Sequence, residues 1–213
     1  MMLTSYFRKA VYCVVAACFF SAQAGSFEDF FTAIRNDNVA TLNDLLKRGF
    51  DPNTRDEKGQ PGLTIAVQER SPKAARTLLG HPAIDVDALN RTGETALMIA
   101  ALKGNLDGMQ MLLDRGAKVN QAGWSPLHYA ATGPEPRAVQ WLLDRGADID
   151  APSPNGTTPL MMAAQYGSED SVALLLGRGA DAKRLNQRDM GAADFAQLGG
   201  RQPLVDRLRK LQR

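Results

Sequence analysis

Cysteine and histidine are scarce in this sequence. It has two of each, and both cysteines, Cys13 and Cys18, lie near the N-terminus. Beyond residue 18 no disulfide framework, thiolate nucleophile or cysteine metal site can form, and a thiol-free chain is safe in an oxidising compartment. His81 and His128 have no second histidine or cysteine at metal-ligand spacing. We therefore predict neither a metal site nor a bound cofactor.

A surplus of basic charge is also absent once the N-terminus is set aside. The formal net charge is +2, and the first 24 residues contain Arg8 and Lys9 but no Asp or Glu. Without those two cations, 23 basic residues face 23 acidic ones. A chain that holds phosphates usually keeps a basic surplus. We therefore expect no nucleic-acid partner.

The longest apolar run is too short to cross a membrane as a helix. It covers residues 10–20, which are 11 residues, whereas spanning takes ~20. Arg8-Lys9 precede it and Ala22-Gln23-Ala24 follow it, which is the layout of a signal peptide. We predict cleavage after Ala24, so that residues 1–24 are removed and residues 25–213 act in the periplasm. Lipidation of Cys18, which ends a lipobox-like Val-Ala-Ala-Cys, is the alternative and would anchor the protein in the envelope.

An internal repeat organises the rest of the chain. Three blocks of 28 residues align without a gap, at 93–120, 123–150 and 156–183, and 59–87 is a weaker copy with one extra residue. The spacer before each block has five residues, except before Gly123, where only two remain. Identical columns in the three blocks include Leu97/Leu127/Leu160, Ala100/Ala130/Ala163, Leu112/Leu142/Leu175, Leu113/Leu143/Leu176 and Gly116/Gly146/Gly179.

Each block has the signals of two short helices. Ser125 and Thr158 can cap a helix, and each is followed by proline, which is tolerated at the first helical position. The alanine column allows close approach between stacked helices, and the glycine column suits the left-handed residue that ends a helix. We expect Leu113, Leu143 and Leu176 to be buried between neighbouring repeats, together with Trp141.

These motifs resemble those of ankyrin repeats. Residues 125–131 (SPLHYAA) are similar to the family's T-P-L-H-x-A opening, and residues 145–150 (RGADID) to its closing G-A-D-V-N. The resemblance implies an all-α solenoid of helix-turn-helix units with short β-turn fingers. It covers about residues 26–213, with the four blocks as internal repeats, an N-terminal cap at 26–53 and a C-terminal cap at 189–213.

Candidate catalytic groups are few. The resemblance implies that His128 bonds neighbouring backbone rather than acting as a general base. Gly123-Trp124-Ser125 begins like a nucleophile elbow, but Leu127 stands where the final glycine of G-x-S-x-G belongs. We predict that the protein is not an enzyme, and a small hydrolase built on the repeats is the less favoured alternative.

The resemblance implies a non-enzymatic protein-binding module, monomeric when free, whose partner is another protein of unknown identity. It would act as a scaffold, an accessory subunit or an immunity-type inhibitor. Partners of such proteins usually meet the finger tips and the exposed ends of the first helices. Those positions here are Glu57, Lys58, Gln60, Gln68, Glu69, Arg91, Thr92, Glu94, Leu102, Lys103, Trp124, Thr132, Asn155, Thr157, Gln165 and Tyr166.

Trp124 and Tyr166 are the aromatic residues of this set, and exposed aromatic side chains are favoured as binding anchors. For Trp124 two interpretations stay open. It is either such an anchor or a local core residue that folds over the shortened finger.

Overall fold

The computed structural model describes residues 25–212, so the predicted signal peptide and its cleavage site lie outside the described residues. Residues 25–35 are helical and form α1. The other helices are α2 (Val39–Lys47), α3 (Gly62–Gln68), α4 (Pro72–Gly80), α5 (Ala96–Leu102), α6 (Leu106–Leu113), α7 (Pro126–Thr132), α8 (Pro136–Leu143), α9 (Pro159–Gln165), α10 (Glu169–Gly177), α11 (Ala192–Leu198) and α12 (Gln202–Gln212). The predicted all-α solenoid is confirmed. In the described part of the chain, extended pairing is limited to one antiparallel bridge, Arg55 with Pro61.

The helices stack in two rows. In the inner row, α3, α5, α7, α9 and α11 each pack on the next, and in the outer row contacts join α2 to α4, α4 to α6, and α8 to α10. Small residues make the close inner-row approach possible, since a column of five alanines is at most 1% exposed: Ala66, Ala100, Ala130, Ala163 and Ala196. Because each pair can bury its apolar side only against its neighbours, the stack shares one continuous core.

Thr158 caps its helix as predicted, and so does Thr95, since their hydroxyls accept hydrogen bonds from the backbone N–H three residues on. Ser125 is the N-cap residue of α7, but its hydroxyl pairs with Nδ1 of His128 at 2.9 Å and makes no capping hydrogen bond. Pro126 and Pro159 occupy the first helical position, where a missing N–H costs nothing. These starts fix the direction in which the finger before each helix emerges.

The prediction for the second leucine of each Leu-Leu pair is wrong. Leu112, Leu142 and Leu175 are fully buried, whereas Leu113, Leu143 and Leu176 are only partly buried. Adjacent helical residues point about 100° apart, so only one of the two can face the inner row. Trp141 is likewise half-buried rather than core, and the Arg145 guanidinium lies 3.6 Å from its ring centroid.

Arg201 ties the C-terminal cap to the preceding repeat. Its guanidinium Nη1 donates to the carbonyls of Ala163, Ala164 and Gly167, at 3.0, 3.1 and 2.8 Å. These carbonyls lie at the C-terminal end of α9, where the helix leaves its acceptors unpaired and favours a cation. A sequence pattern does not reveal this contact, because Arg201 lies 34 residues or more from its partners.

Candidate protein-binding surface

Four complete fingers project from the loops before α3, α5, α9 and α11. They span residues 56–60, 90–94, 153–157 and 186–190. In each, the first residue's N–H donates to the carbonyl of the fifth, at 2.9–3.0 Å. The side chain of the first residue accepts the N–H of the fifth, at 2.8–3.1 Å, and these first residues are Asp56, Asn90, Ser153 and Asn186. Each finger is thus closed by its own turn chemistry.

The sequence carried a signal for this closure that we did not use. Asp, Asn, Ser and Asn recur three residues before the tip position, and their side chains can accept backbone hydrogen bonds in turns. The tip itself has positive φ: Gly59, Gly93 and Gly156 lie at +75° to +79°, and Asp189 at +55°. The segment before α7 has too few residues to hold the same turn.

The shortened segment interrupts the row of fingers. A methyl group added at Gly59 would collide with Arg91 of the next finger, and one at Gly156 would touch Asn186. At Gly93 the same methyl would meet no atom within 4 Å. Losing three residues before Gly123 therefore leaves a gap beside the finger at 90–94.

A cavity of about 250 Å³ opens on the inner row, with Trp124 of the shortened segment in its wall. Its lining is almost entirely apolar and combines three inner-row helices with the shortened segment: Leu102, Trp124, His128, Tyr129, Thr132 and Met162. Trp124 stands edge-on to His128, with ring centroids 5.2 Å apart and an interplanar angle of 77°. We call this cavity the notch.

Trp124 is half-buried. It packs on its own repeat through His128 and also presents surface to the notch, so the structure combines both interpretations left open by the sequence.

His128 forms the floor behind Trp124 and has the structural place that the resemblance implies. Its Nδ1 accepts the backbone N–H of Ser125 at 3.1 Å, so Nε2 carries the proton and donates to the carbonyl of Thr157 at 2.9 Å. Burial lowers the pKa of His128 below its usual value, although backbone hydrogen bonds oppose that shift. The neutral ring thus links two repeats.

Tyr129 closes the notch towards the preceding finger. Its hydroxyl donates to Oε1 of Glu94 at 3.0 Å. Burial, together with the charge of Glu94 and this hydrogen bond, raises the pKa of Tyr129 above its usual value. The phenol therefore stays protonated and remains a donor.

Glu94 is held as a carboxylate. Partial burial alone would raise its pKa, but hydrogen bonds from Asn90, Thr92 and Tyr129 outweigh burial and lower it. The amide of Asn90 donates to Oε2 at 2.7 Å. In residues 25–212 no lysine or arginine forms an ion pair with Glu94 within 4.0 Å. Its negative charge faces the edge of the notch uncompensated by a cation.

The structure separates the predicted contact residues by exposure. The exposed ones are Glu57, Lys58, Glu69, Arg91, Thr92, Lys103, Asn155 and Tyr166, and Tyr166 is 60% exposed. The half-buried ones are Gln60, Gln68, Glu94, Leu102, Trp124, Thr132 and Gln165. Of these, Leu102, Trp124 and Thr132 meet at the notch, which Glu94 borders.

Thr157 does not fit the predicted surface. It is 1% exposed, and both its backbone groups are used, the N–H by Ser153 and the carbonyl by His128 and Ser153. Thr157 was predicted to contact the partner, but the structure makes it a structural residue at the base of a finger. Tyr129 and Met162 were missed because they stand one position before the alanine column, which looked like interior.

Within residues 25–212 no helix is long and apolar enough to span a bilayer. The same residues contain no group of three or more His, Cys, Asp or Glu that could hold a metal ion.

The family model for ankyrin repeats (3 copies) matches residues 30–122 and 118–186. The chain belongs to the ankyrin-repeat family. Ankyrin repeats are in general non-catalytic protein-interaction modules, and the notch lies on the finger and inner-helix surface of this one.

Two human ankyrin-repeat relatives illustrate how far the similarity reaches. Transient receptor potential cation channel subfamily A member 1 is 30% identical over 159 residues, which is 70% of this chain and 14% of that protein. B-cell lymphoma 3 protein is 36% identical over 149 residues, 67% of this chain and 33% of that protein. The chain thus spans a third or less of the length of these relatives.

The fold is also similar to that of a solved structure, over nearly the whole length of the solved chain. It is a chain of the complex between the predatory endopeptidase Bd0816 of Bdellovibrio bacteriovorus and the immunity protein Bd3460. The identity is 25% and the TM-score 0.72, over 85% of this chain and 97% of that one.

Proposed function

We propose that this ankyrin-repeat protein is an exported, non-enzymatic inhibitor of the immunity type, which binds an endopeptidase of the cell envelope as a monomer. The observation that carries the proposal is the similarity to a chain of the solved complex between an endopeptidase and an immunity protein. The similarity covers 97% of that chain. Half-buried Trp124 in the shortened segment and exposed Tyr166 at the C-terminal end of α9 supply aromatic contact surface.

Export is the second part of the proposal and is supported by the sequence of residues 1–24. An apolar run of 11 residues after Arg8-Lys9 and before Ala22-Gln23-Ala24 has the layout of a signal peptide. An inhibitor that meets an envelope endopeptidase has to reach the same compartment, so the two parts belong together.

The test of export is the mass of the protein purified from its own cells after fractionation. We expect a periplasmic species that begins at Gly25. A lipid-modified species beginning at Cys18 would replace the soluble inhibitor with an envelope-anchored lipoprotein, and an intact Met1 in the cytoplasmic fraction would contradict export.

The test of inhibition uses this periplasmic protein with purified envelope endopeptidases of the same cells. We expect stoichiometric inhibition of peptide hydrolysis by one of them. Replacing both Trp124 and Tyr166 with alanine removes two anchors, each worth ~2 kcal/mol or more at a binding hot spot. The complex should weaken about a thousandfold if the two losses add.

Gln140→Ala is the matched control, because Gln140 is exposed on the outer-row helix α8. It should leave inhibition unchanged, and thermal melting should show all variants folded. If the double variant still inhibits fully and Gln140→Ala loses inhibition, the binding surface lies on the outer row instead. Absence of inhibition of every endopeptidase would refute the inhibitor role.

A further inference from the structure

The notch differs from the rest of the finger row in what it exposes. Complete fingers cover one another, as the contact between Gly59 and Arg91 shows, whereas the space beside Gly93 is open. The rings of Trp124 and Tyr129 and the side chains of Leu102 and Met162 line the notch, which includes the shortened segment. Two aromatic residues and two flexible apolar side chains therefore line a space of about 250 Å³.

A fixed negative charge stands at the edge of this apolar space. Oε1 of Glu94 lies 3.0 Å from the hydroxyl of Tyr129, whose side chain lines the notch. Oε2 is held by Asn90 and Thr92, so the carboxylate has a defined position.

An uncharged apolar ligand would contact the lining of the notch but would leave the Glu94 carboxylate at its edge without a counter-charge. An acidic ligand would add repulsion. A cation on an aliphatic stem satisfies both parts of the notch, since aromatic faces and a carboxylate attract the charge and the stem covers apolar surface.

We propose that the notch binds the side chain of a lysine or arginine on the partner. The aliphatic stem lies against Leu102 and Met162, and the charged end lies between the rings of Trp124 and Tyr129 and the carboxylate of Glu94. This inference deepens the proposed function, because it states which residue of the partner enters the surface. The shortened finger is what gives a protruding segment of the partner access.

The experiment uses peptides Gly-Gly-X-Gly-Gly in which X is lysine, arginine, norleucine or glutamate. The chain has two tryptophans, so Trp141→Phe leaves Trp124 as the only tryptophan and its fluorescence reports occupancy of the notch. We expect the lysine or arginine peptide, or both, to bind at least tenfold more tightly than norleucine, with affinity that falls as salt rises. The glutamate peptide should not bind.

Two variants assign the charge preference to Glu94. Glu94→Gln should weaken the cationic peptides about tenfold and leave the norleucine peptide unchanged. Tyr129→Phe keeps the ring but loses the hydroxyl and should weaken the cationic peptides less. Glu169→Gln is the matched control, because Glu169 is exposed in the first turn of α10, and it should change nothing.

Three results would overturn the proposal: norleucine binding as tightly as the cations, cation affinity unaltered in Glu94→Gln, or no change of Trp124 fluorescence with any peptide at millimolar concentration. Failure here is separate from failure of the inhibitor role. Charge-selective peptide binding without endopeptidase inhibition would leave the notch intact and refute the inhibitor. If inhibition depends on Trp124 and Tyr166 but the peptides show no preference for a cationic side chain, the inhibitor role stands and the proposal for the notch is refuted.

Discussion

The complete finger at 90–94 and the shortened segment at 121–124 are neighbours with opposite properties. The first closes on itself through Asn90, whose side chain accepts the N–H of Glu94. The second has no room for that turn, and its Gln121 donates to the carbonyl of Trp124 instead. One is a self-contained turn, and the other contributes Trp124 to the wall of the notch.

This difference shows how a repeat protein can change its surface without changing its core. Leu112 and Leu142 belong to the repeats that follow these two segments, and both are fully buried. The inner-row alanines Ala100 and Ala130 are also both 0% exposed. The helical core is therefore equally buried behind the complete finger and behind the shortened segment, because fingers and helices lie in different layers.

The largest effect that tests the comparison is on stability. Leu112→Ala and Leu142→Ala should each lower the free energy of unfolding by about 2–5 kcal/mol, the range for a buried leucine. The two losses should agree within about 1 kcal/mol, as expected for one buried environment. Chemical denaturation measures both, with Leu143→Ala as the half-buried comparison that should cost less. A much smaller loss for Leu142 would mean that the shortened finger has loosened the core beneath it.

Restoring the finger should remove the notch. Replacing Gln121-Ala122 with a copy of residues 151–155 supplies the missing length and the serine that closes the turn at 153–157. We expect at least tenfold weaker binding of the cationic peptides, measured by Trp124 fluorescence, because the new finger fills the gap beside Gly93. Stability should change by only about 0.5 kcal/mol, as for other surface changes. Undiminished peptide binding would show that the finger does not control access.

The smallest expected effect concerns pH. The pKa of His128 is lowered in the folded protein, so its neutral form contributes stability above the ordinary histidine pKa of about 6.5. That contribution is lost as the pH falls below this value, by at most about 1.4 kcal/mol per pH unit. His128→Met copies Met98 and Met161, which hold the same position in the neighbouring repeats.

Denaturation midpoints at pH 7 and pH 5 measure this effect. The native protein should lose more stability than His128→Met over this interval, since the other groups titrate alike in both. Equal losses would show that His128 protonates as easily in the folded chain as in the unfolded one.

Helix periodicity and turn chemistry are local, and for that reason the sequence predicted them well. Proline after Ser125 and Thr158, the alanine column and the family motif together indicated an all-α solenoid. The structural place of His128 followed from its motif. The local pattern was less able to distinguish Leu142 from Leu143, because both suit a buried helix face and only the direction of the inner row decides between them.

By itself, then, the sequence determined which residues form repeats, where helices begin and that one finger is short. The tertiary structure alone decided that Thr157 is covered and that Tyr129 reaches Glu94 across 35 residues. It alone decided that an apolar space bordered by a fixed carboxylate opens beside Trp124. The physical reason is that turns and caps depend on neighbours within a few residues, whereas burial and charge environment depend on side chains that the stacking of one repeat on the next brings together.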